Sequence, residues 1–314
     1  MHYSGELAAI SAAIVWAVAT WIYSQFSHRF SAMQLNIVKG VIASMMMVVV
    51  IPFLPQGIPA YIEPLHLAVL AISGVIGIAV GDSAYFAALK RIGPNKTLLL
   101  ESLAPPLSGV LAMVFLGSEL TLQSWLGVVV ATVAVTFVVF QPSTSGAATN
   151  WSGIGFGLLA SVCQASGVVI SHYALVAGDL PPLLGALIRL SVGVLAVCLV
   201  VKIVEPAPFS SIKQHLKAMG NKALVWLLLA IFVGTFLALW LQQIALKYAN
   251  PAIAQTLIAT SPLFILVIYA LRGEKVGVKS MLGTLVALGG ISLFFFKLVI
   301  RLIKTPQLLL GRFL

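Results

Sequence analysis

The chain has 314 residues, of which 61% are hydrophobic and 8% charged, with a formal net charge of +10 and a mean hydropathy of +1.09. Soluble domains carry roughly 25% charged residues, so this composition excludes a water-soluble globular protein and indicates an all-α membrane protein. No stretch is polar for long enough to fold as a separate soluble domain, which confines any site to the helix bundle or its rims.

Ten apolar spans are expected, at about residues 6–27, 33–54, 66–89, 96–116, 122–140, 152–176, 182–203, 223–247, 251–271 and 277–297. The first lacks a basic leader and runs into further spans, so it is expected to persist as a helix rather than be cleaved as a signal. Residues 141–150 form the polar, low-complexity connection that divides the spans into two sets of five, residues 1–140 and 151–298. After the seventh span, Ser210 is expected to cap a short interfacial helix whose Ile212, Leu216 and Met219 oppose Lys213 and Lys217. Residues 299–314 make a basic amphipathic tail. The loop and tail charges suit anionic lipid headgroups as a partner, and no nucleic acid is implied. Cys163 and Cys198 lie inside spans, which argues against a disulfide framework.

The two halves repeat each other. Ala88-Leu89-Lys90, Pro94 and Pro105 recur as Ala245-Leu246-Lys247, Pro251 and Pro262 at a constant offset of 157, and Gly77 falls on Gly234. Gly117-Ser118-Glu119 is answered, with slippage, by Gly273-Glu274. Because each half holds an odd number of spans, the second copy must enter from the opposite face, an inverted repeat that places a ligand site near the midplane.

Four charges lie well inside spans: Lys39, Asp82, Glu101 and Arg189. A charged group at bilayer depth marks a functional site by default. Residues 96–116 hold Glu101 on one face with Thr97, Pro105 and Ser108, and Pro105 and Pro106 free backbone carbonyls in mid-span. Lys39, Asp82 and Glu101 fall near one face of the membrane. They form either an ion pair with a second, proton-carrying acid, or a salt bridge that ties spans two, three and four together. Arg189 enters from the other face, where the repeat puts Leu239 and Ile258 in place of the two acids. Its guanidinium suits a substrate carboxylate or phosphate, or it pairs with Glu119 or helix-end carbonyls. Trp16, Thr20 and Tyr23 share a face of span one, Ser161, Gln164 and Ser171 one of span six, and Tyr85 and Phe86 flank Asp82's face. Gln242, Gln243, Gln255 and Thr256 continue the polar set. Such residues either hold helices together or line a cavity. The candidate substrate-binding residues are therefore Trp16, Thr20, Lys39, Tyr85, Gln164, Arg189, Gln242 and Gln255, with Asp82 and Glu101 for protons. Glycines 74, 77 and 81, and 153, 155 and 157, are expected at close helix contacts. The histidines are scattered, with no metal-ligand spacing, and no catalytic motif appears, so neither cofactor nor enzyme is expected.

Taken in order, these features resemble the EamA-type carriers of the drug/metabolite transporter superfamily over residues 6–297. The matching residues are Ala12 to Trp16, the basic residue of the second helix of each unit (Lys39 and Arg189), Pro105 and Pro262 in the fourth, and the closing Gly117-Ser118-Glu119 and Arg272-Gly273-Glu274. Gln164 departs from the tryptophan of the pattern. The resemblance implies ten helices as two inverted five-helix repeats, an inner-membrane location as monomer or homodimer, and export of small metabolites such as amino acids or other carboxylate-bearing compounds; Glu101, unusual in position for that family, adds a route to proton coupling. Other branches move nucleotide sugars, phosphorylated sugars or drugs. A polyspecific cation pump and a non-transporting scaffold or sensor are the alternatives. Orientation is open: Lys247, Lys297, Arg301, Lys304 and Arg312 fall on the face of the termini and the other loop cations opposite, which places the termini outside, whereas the resemblance places them inside.

Overall fold

The computed structural model describes residues 4–55, 58–116, 122–139, 150–249, 251–273, 277–278 and 281–290. Their regular structure is helical throughout. In order, the helices are α1 (Ser4–Phe26), α2 (Ala32–Val50), α3 (Pro64–Gly74), α4 (Ser83–Glu101), α5 (Ala104–Leu116), α6 (Leu122–Val139), α7 (Trp151–Ala177) and α8 (Pro182–Val204). They continue with α9 (Pro208–Ala218), α10 (Asn221–Ile231), α11 (Ala238–Tyr248), α12 (Pro251–Ile258) and α13 (Ser261–Leu271). Among the described residues, seven helical stretches are long and apolar enough to cross a membrane. Met45, Val49, Leu195, Leu199 and Ile203 stay exposed on the outer faces of α2 and α8, an apolar surface suited to lipid. The expected tail, nearly all of the expected linker, and Glu119 and Glu274 lie outside the described residues, and the expected tenth span is described over little more than 281–290.

Local chemistry sets several boundaries. Ser31 accepts from the Gln34 N–H while the Gln34 side chain reaches back to the Ser31 N–H, a capping box that starts α2. The Asn150 side chain accepts from the Gly153 N–H and starts α7. Gly93, at φ 75, turns the 38-residue stretch Pro64–Glu101 into two arms, which separates the expected third and fourth spans. α9 forms as expected, with Ile212 and Met219 buried. Its start differs: Pro208, after a left-handed Ala207, opens it instead of Ser210, because proline fits the first helical turn without an N–H.

Two expected spans are interrupted. The stretch 96–116 breaks after Glu101, and the stretch 251–271 breaks after Ile258, the same point one repeat later. The cause is shared: Pro105 and Pro262 carry no N–H for the preceding turn. The Ser261 hydroxyl donates to the stranded Ile258 carbonyl at 2.7 Å, and the Ser102 hydroxyl to the Leu99 carbonyl. The repeat extends to helix type, because Val75–Asp82 and Phe232–Leu237 are both π-helical and begin at the 157-residue offset.

Contacts between the halves are reciprocal. Gly5 at the start of α1 packs on Ala249 after α11, and Gly153 at the start of α7 packs on Ile92, at the end of the first arm of α4. Gly234 meets Ala19, and Gly77 meets Gly167. Offsets of 148 for α1 onto α7 and 157 for the third helices interconvert each pair. The equivalent helices α2 and α8 are antiparallel, since Ser31 and Gln34 at the start of α2 donate to the Glu205 carboxylate at the end of α8. Gly155 is the exception among the expected contact glycines and faces open space.

Candidate functional site

Two cavities open between the halves. The first, with room for about two waters in this state, is lined by Trp16, Leu98, Glu101, Ser102, Ala104, Pro105, Gln164, Val168, Gln242, Gln255, Ile258, Ala259, Ser261 and Pro262. Nearly all of these are repeat-equivalent pairs: Trp16 with Gln164, Leu98 with Gln255, Glu101 with Ile258, Ser102 with Ala259, Ala104 with Ser261 and Pro105 with Pro262. The cavity therefore sits on the pseudo-twofold axis, at the two helix breaks. Its walls are mixed: Glu101 is the one charged side chain, with three glutamines, two serines and backbone loosened by proline around it. The Gln255 side chain donates to Ser108 Oγ at 3.4 Å, and Ser161 Oγ donates to the Leu100 carbonyl at 2.6 Å, fixing α7 beside the break.

The second cavity, with room for about one water, lies off the axis and is lined by Trp16, Ala19, Thr20, Tyr23, Lys39, Asp82, Tyr85, Phe86, Gly234 and Leu239. Here the Lys39 ammonium donates to Asp82 in a direct ion pair and lies 5.2 Å from the centre of the Phe86 ring. Lys39 is buried and Asp82 nearly so, so this is a low-dielectric pair with little solvent screening. Trp16 belongs to both cavities. It stands with Glu101 in the axial cavity and with Tyr85 in the lateral one, and Tyr85 Oη bonds Thr20 Oγ1 at 2.5 Å. Tyr23 Oη bonds Thr235 Oγ1 at 2.7 Å, tying α1 to the second π-helical segment. Trp16 is thus the wall shared by the carboxylate of the axial cavity and the hydroxyls of the lateral one.

The expected residues divide accordingly. Trp16, Glu101, Gln164, Gln242 and Gln255 come together in the axial cavity; Thr20, Lys39, Asp82 and Tyr85 share the lateral one with Trp16. Arg189 lines neither. It is buried, its Nη1 donates to Gln243 Oε1 at 3.1 Å, and its Nε has no hydrogen-bond partner. Among the described residues, no carboxylate lies within 4 Å of it. Residues that sequence reasoning passed over are Leu98, Val168, Ser102 and Ser261. The last two flank the helix breaks, and the paired prolines were the available signal. Among the described residues no group of His, Cys, Asp and Glu could hold a metal ion.

A bundle of apolar helices built from two reciprocal repeats, with a polar cavity on their shared axis, is the architecture of a membrane transporter. The chain belongs to the EamA-like transporter family, whose model matches residues 3–140 and 151–296 and so covers both repeats. An "uncharacterized transporter" of Archaeoglobus fulgidus is 28% identical over 185 residues, which span 59% of this chain and 63% of that relative. A solved crystal structure superimposes with a TM-score of 0.65 over 97% of this chain and 100% of that one at 16% identity, a likeness of fold alone.

Proposed function

We propose that the chain is a ten-span secondary transporter of the inner membrane, with its two five-helix repeats threading the bilayer in opposite senses. It carries a small polar metabolite through the axial cavity by alternating access. The observation that carries this reading is the pairwise lining of that cavity, because a site on the axis relating two inverted repeats can be presented to either face when the repeats exchange conformations.

Glu101 is the coupling group of the proposal. A carboxylate at this depth requires a proton, a cation or donated hydrogen bonds, and here it meets the Trp16 indole and an otherwise uncharged wall. Asp82 is already compensated by Lys39, which leaves Glu101 as the acid free to exchange its partner. When Glu101 gives up its proton the cavity favours a substrate bearing an amino group, as amino acids do, which keeps lipophilic-cation efflux as the second reading. The protein acts as a carrier and not an enzyme, with protons, the substrate and the lipid surface as its partners. Lys213 and Lys217 on α9 face anionic headgroups. In proteoliposomes carrying a pH gradient, Glu101→Gln abolishes uphill transport and spares exchange. Undiminished uphill transport by that variant refutes the coupling role, and a panel of amino acids against quaternary amines separates the two readings.

A further inference from the structure

The axial cavity is rich in hydrogen-bond acceptors and poor in donors. α4 ends at Glu101 and α12 at Ile258, so two helix C-termini, each the negative end of its dipole, meet at the cavity. The helices that restart there would ordinarily answer with N–H groups, the donors by which a helix N-terminus holds an anion. Proline removes several of them: α5 opens Ala104-Pro105-Pro106 and α13 opens Ser261-Pro262. The serine protons are spent as well. Ser102 donates to the Leu99 carbonyl at 2.7 Å and Ser261 to the Ile258 carbonyl at 2.7 Å, so each hydroxyl has only lone pairs left for another partner. Gln255 turns its amide nitrogen to Ser108 Oγ, which leaves its Oε1 to accept.

The two helix breaks differ at one group. Pro262 denies the Ile258 carbonyl the N–H four residues on, and the Ser261 hydroxyl takes its place. Pro105 denies the Glu101 carbonyl the same bond, but Ala104 stands where Ser261 does and has no hydroxyl to give. Glu101 therefore brings a freed carbonyl and a carboxylate to one point, in a cavity whose other walls are uncharged. Lys39 is held by Asp82 in the lateral cavity and does not serve it. A proton on the carboxylate cancels the charge but supplies a single donor. A metal cation is shared by several oxygens at once.

We propose that the axial cavity binds a small monovalent cation, of sodium's size, between the Glu101 carboxylate and the neutral oxygens of the two helix breaks. This rests on the reading of Glu101 as the coupling group, and it names sodium as the ion that replaces the proton there. One carboxylate matches one positive charge, whereas calcium sites gather several carboxylates and magnesium keeps several waters of its own. Room for about two waters fits a largely dehydrated sodium ion. Freed carbonyls and half-helix C-termini where two repeats meet are groups suited to coordinating such an ion.

The test is equilibrium binding of radioactive sodium to the purified full chain in nanodiscs of zwitterionic lipid, at alkaline pH, with choline holding the ionic strength constant. One saturable sodium per chain is expected, displaced by lithium and not by choline. Glu101→Gln removes it. Ala104→Ser gives the Glu101 carbonyl the hydroxyl that its counterpart has, and weakens sodium by about two- to tenfold, the range of one hydrogen bond. No saturable sodium in the unaltered chain, or sodium bound equally well by Glu101→Gln, overturns the proposal; equal affinity in Ala104→Ser overturns the part given to the Glu101 carbonyl, and that variant keeps the test open if Glu101→Gln does not fold. In proteoliposomes at equal pH on both sides, a sodium gradient then drives uphill transport. Proton-driven transport that depends on Glu101 in a chain that binds no sodium removes this inference alone; sodium bound at Glu101 with no coupled transport removes the coupling role alone.

Discussion

Replacing Asp82 by leucine is the sharpest energetic test of the lateral cavity. The Lys39 side chain is 7% exposed and that of Asp82 16%, so the pair belongs with buried ion pairs, where removing one partner costs about 3–5 kcal/mol, and not with surface pairs worth about 0–1 kcal/mol. After the substitution Lys39 keeps only the Phe86 face at 5.2 Å, which returns about 0.5–2 kcal/mol. The net loss expected for Asp82→Leu is therefore about 1–4.5 kcal/mol. Lys39→Met with Asp82→Leu restores most of it, because an apolar pair of similar volume has no charge to desolvate. The second half suggests another rescue: Leu239 already stands at the position of Asp82, and its cation is solvated by Gln243 where the first half has Phe86. Phe86→Gln added to Asp82→Leu should accordingly recover stability as well. Reversible unfolding in mixed detergent micelles, arranged as a double-mutant cycle over Lys39 and Asp82, measures the coupling. A coupling below about 0.5 kcal/mol, the additivity error for independent sites, would refute the buried-pair argument.

Adjacent glutamines should behave oppositely. Gln243→Leu strips Arg189 of its hydrogen-bond partner and lowers stability by about 1–3 kcal/mol. Gln242→Leu, at a cavity wall, instead changes the apparent substrate affinity in a transport assay with little change in unfolding. Gly74→Ala places a Cβ 2.2 Å from the Arg189 carbonyl oxygen, backbone against backbone, and costs about 1–3 kcal/mol of overpacking, whereas Gly155→Ala meets nothing and is neutral or slightly stabilising. Hydrogen bonding to Lys247 holds the Asp179 carboxyl below the ordinary carboxylate range. The Lys247–Asp179 ion pair is therefore fully present above that range and lost as pH falls through the lowered value. Thermal stability should fall in that acid window, and an Asp179→Asn variant should show no such fall.

Much of the site was legible before any coordinates. Glu101 drew attention because a carboxylate in a twenty-residue apolar run has few bland explanations, and Lys39 with Asp82 followed from counting residues to the same membrane face. Pro105 and Pro262 announced interrupted helices, yet the spans around them were read as continuous, since hydropathy averages over a window and does not register a missing N–H. The π-helical segments had no sequence signal beyond Gly77, Gly81 and Gly234. Arg189 looked like a cavity residue by the same depth rule that worked for Lys39. Packing decided its place, because its guanidinium turns to Gln243 and lines neither cavity.

The sequence alone determined the solvent of this protein, its division into two copies and the few residues whose charge needs a reason, because hydropathy, repeat offset and the scarcity of ionisable groups are properties of the string. Only the tertiary structure decided which copies of a residue face each other: that Trp16 meets Gln164 and Glu101 meets Ile258 across one hollow, while Lys39 lines a cavity and its counterpart Arg189 lines neither. Equivalent positions in a repeat share local geometry, but side-chain volume and charge differ between the copies. Asp82 against Leu239 and Phe86 against Gln243 break the symmetry, and that difference is resolved only when the helices pack.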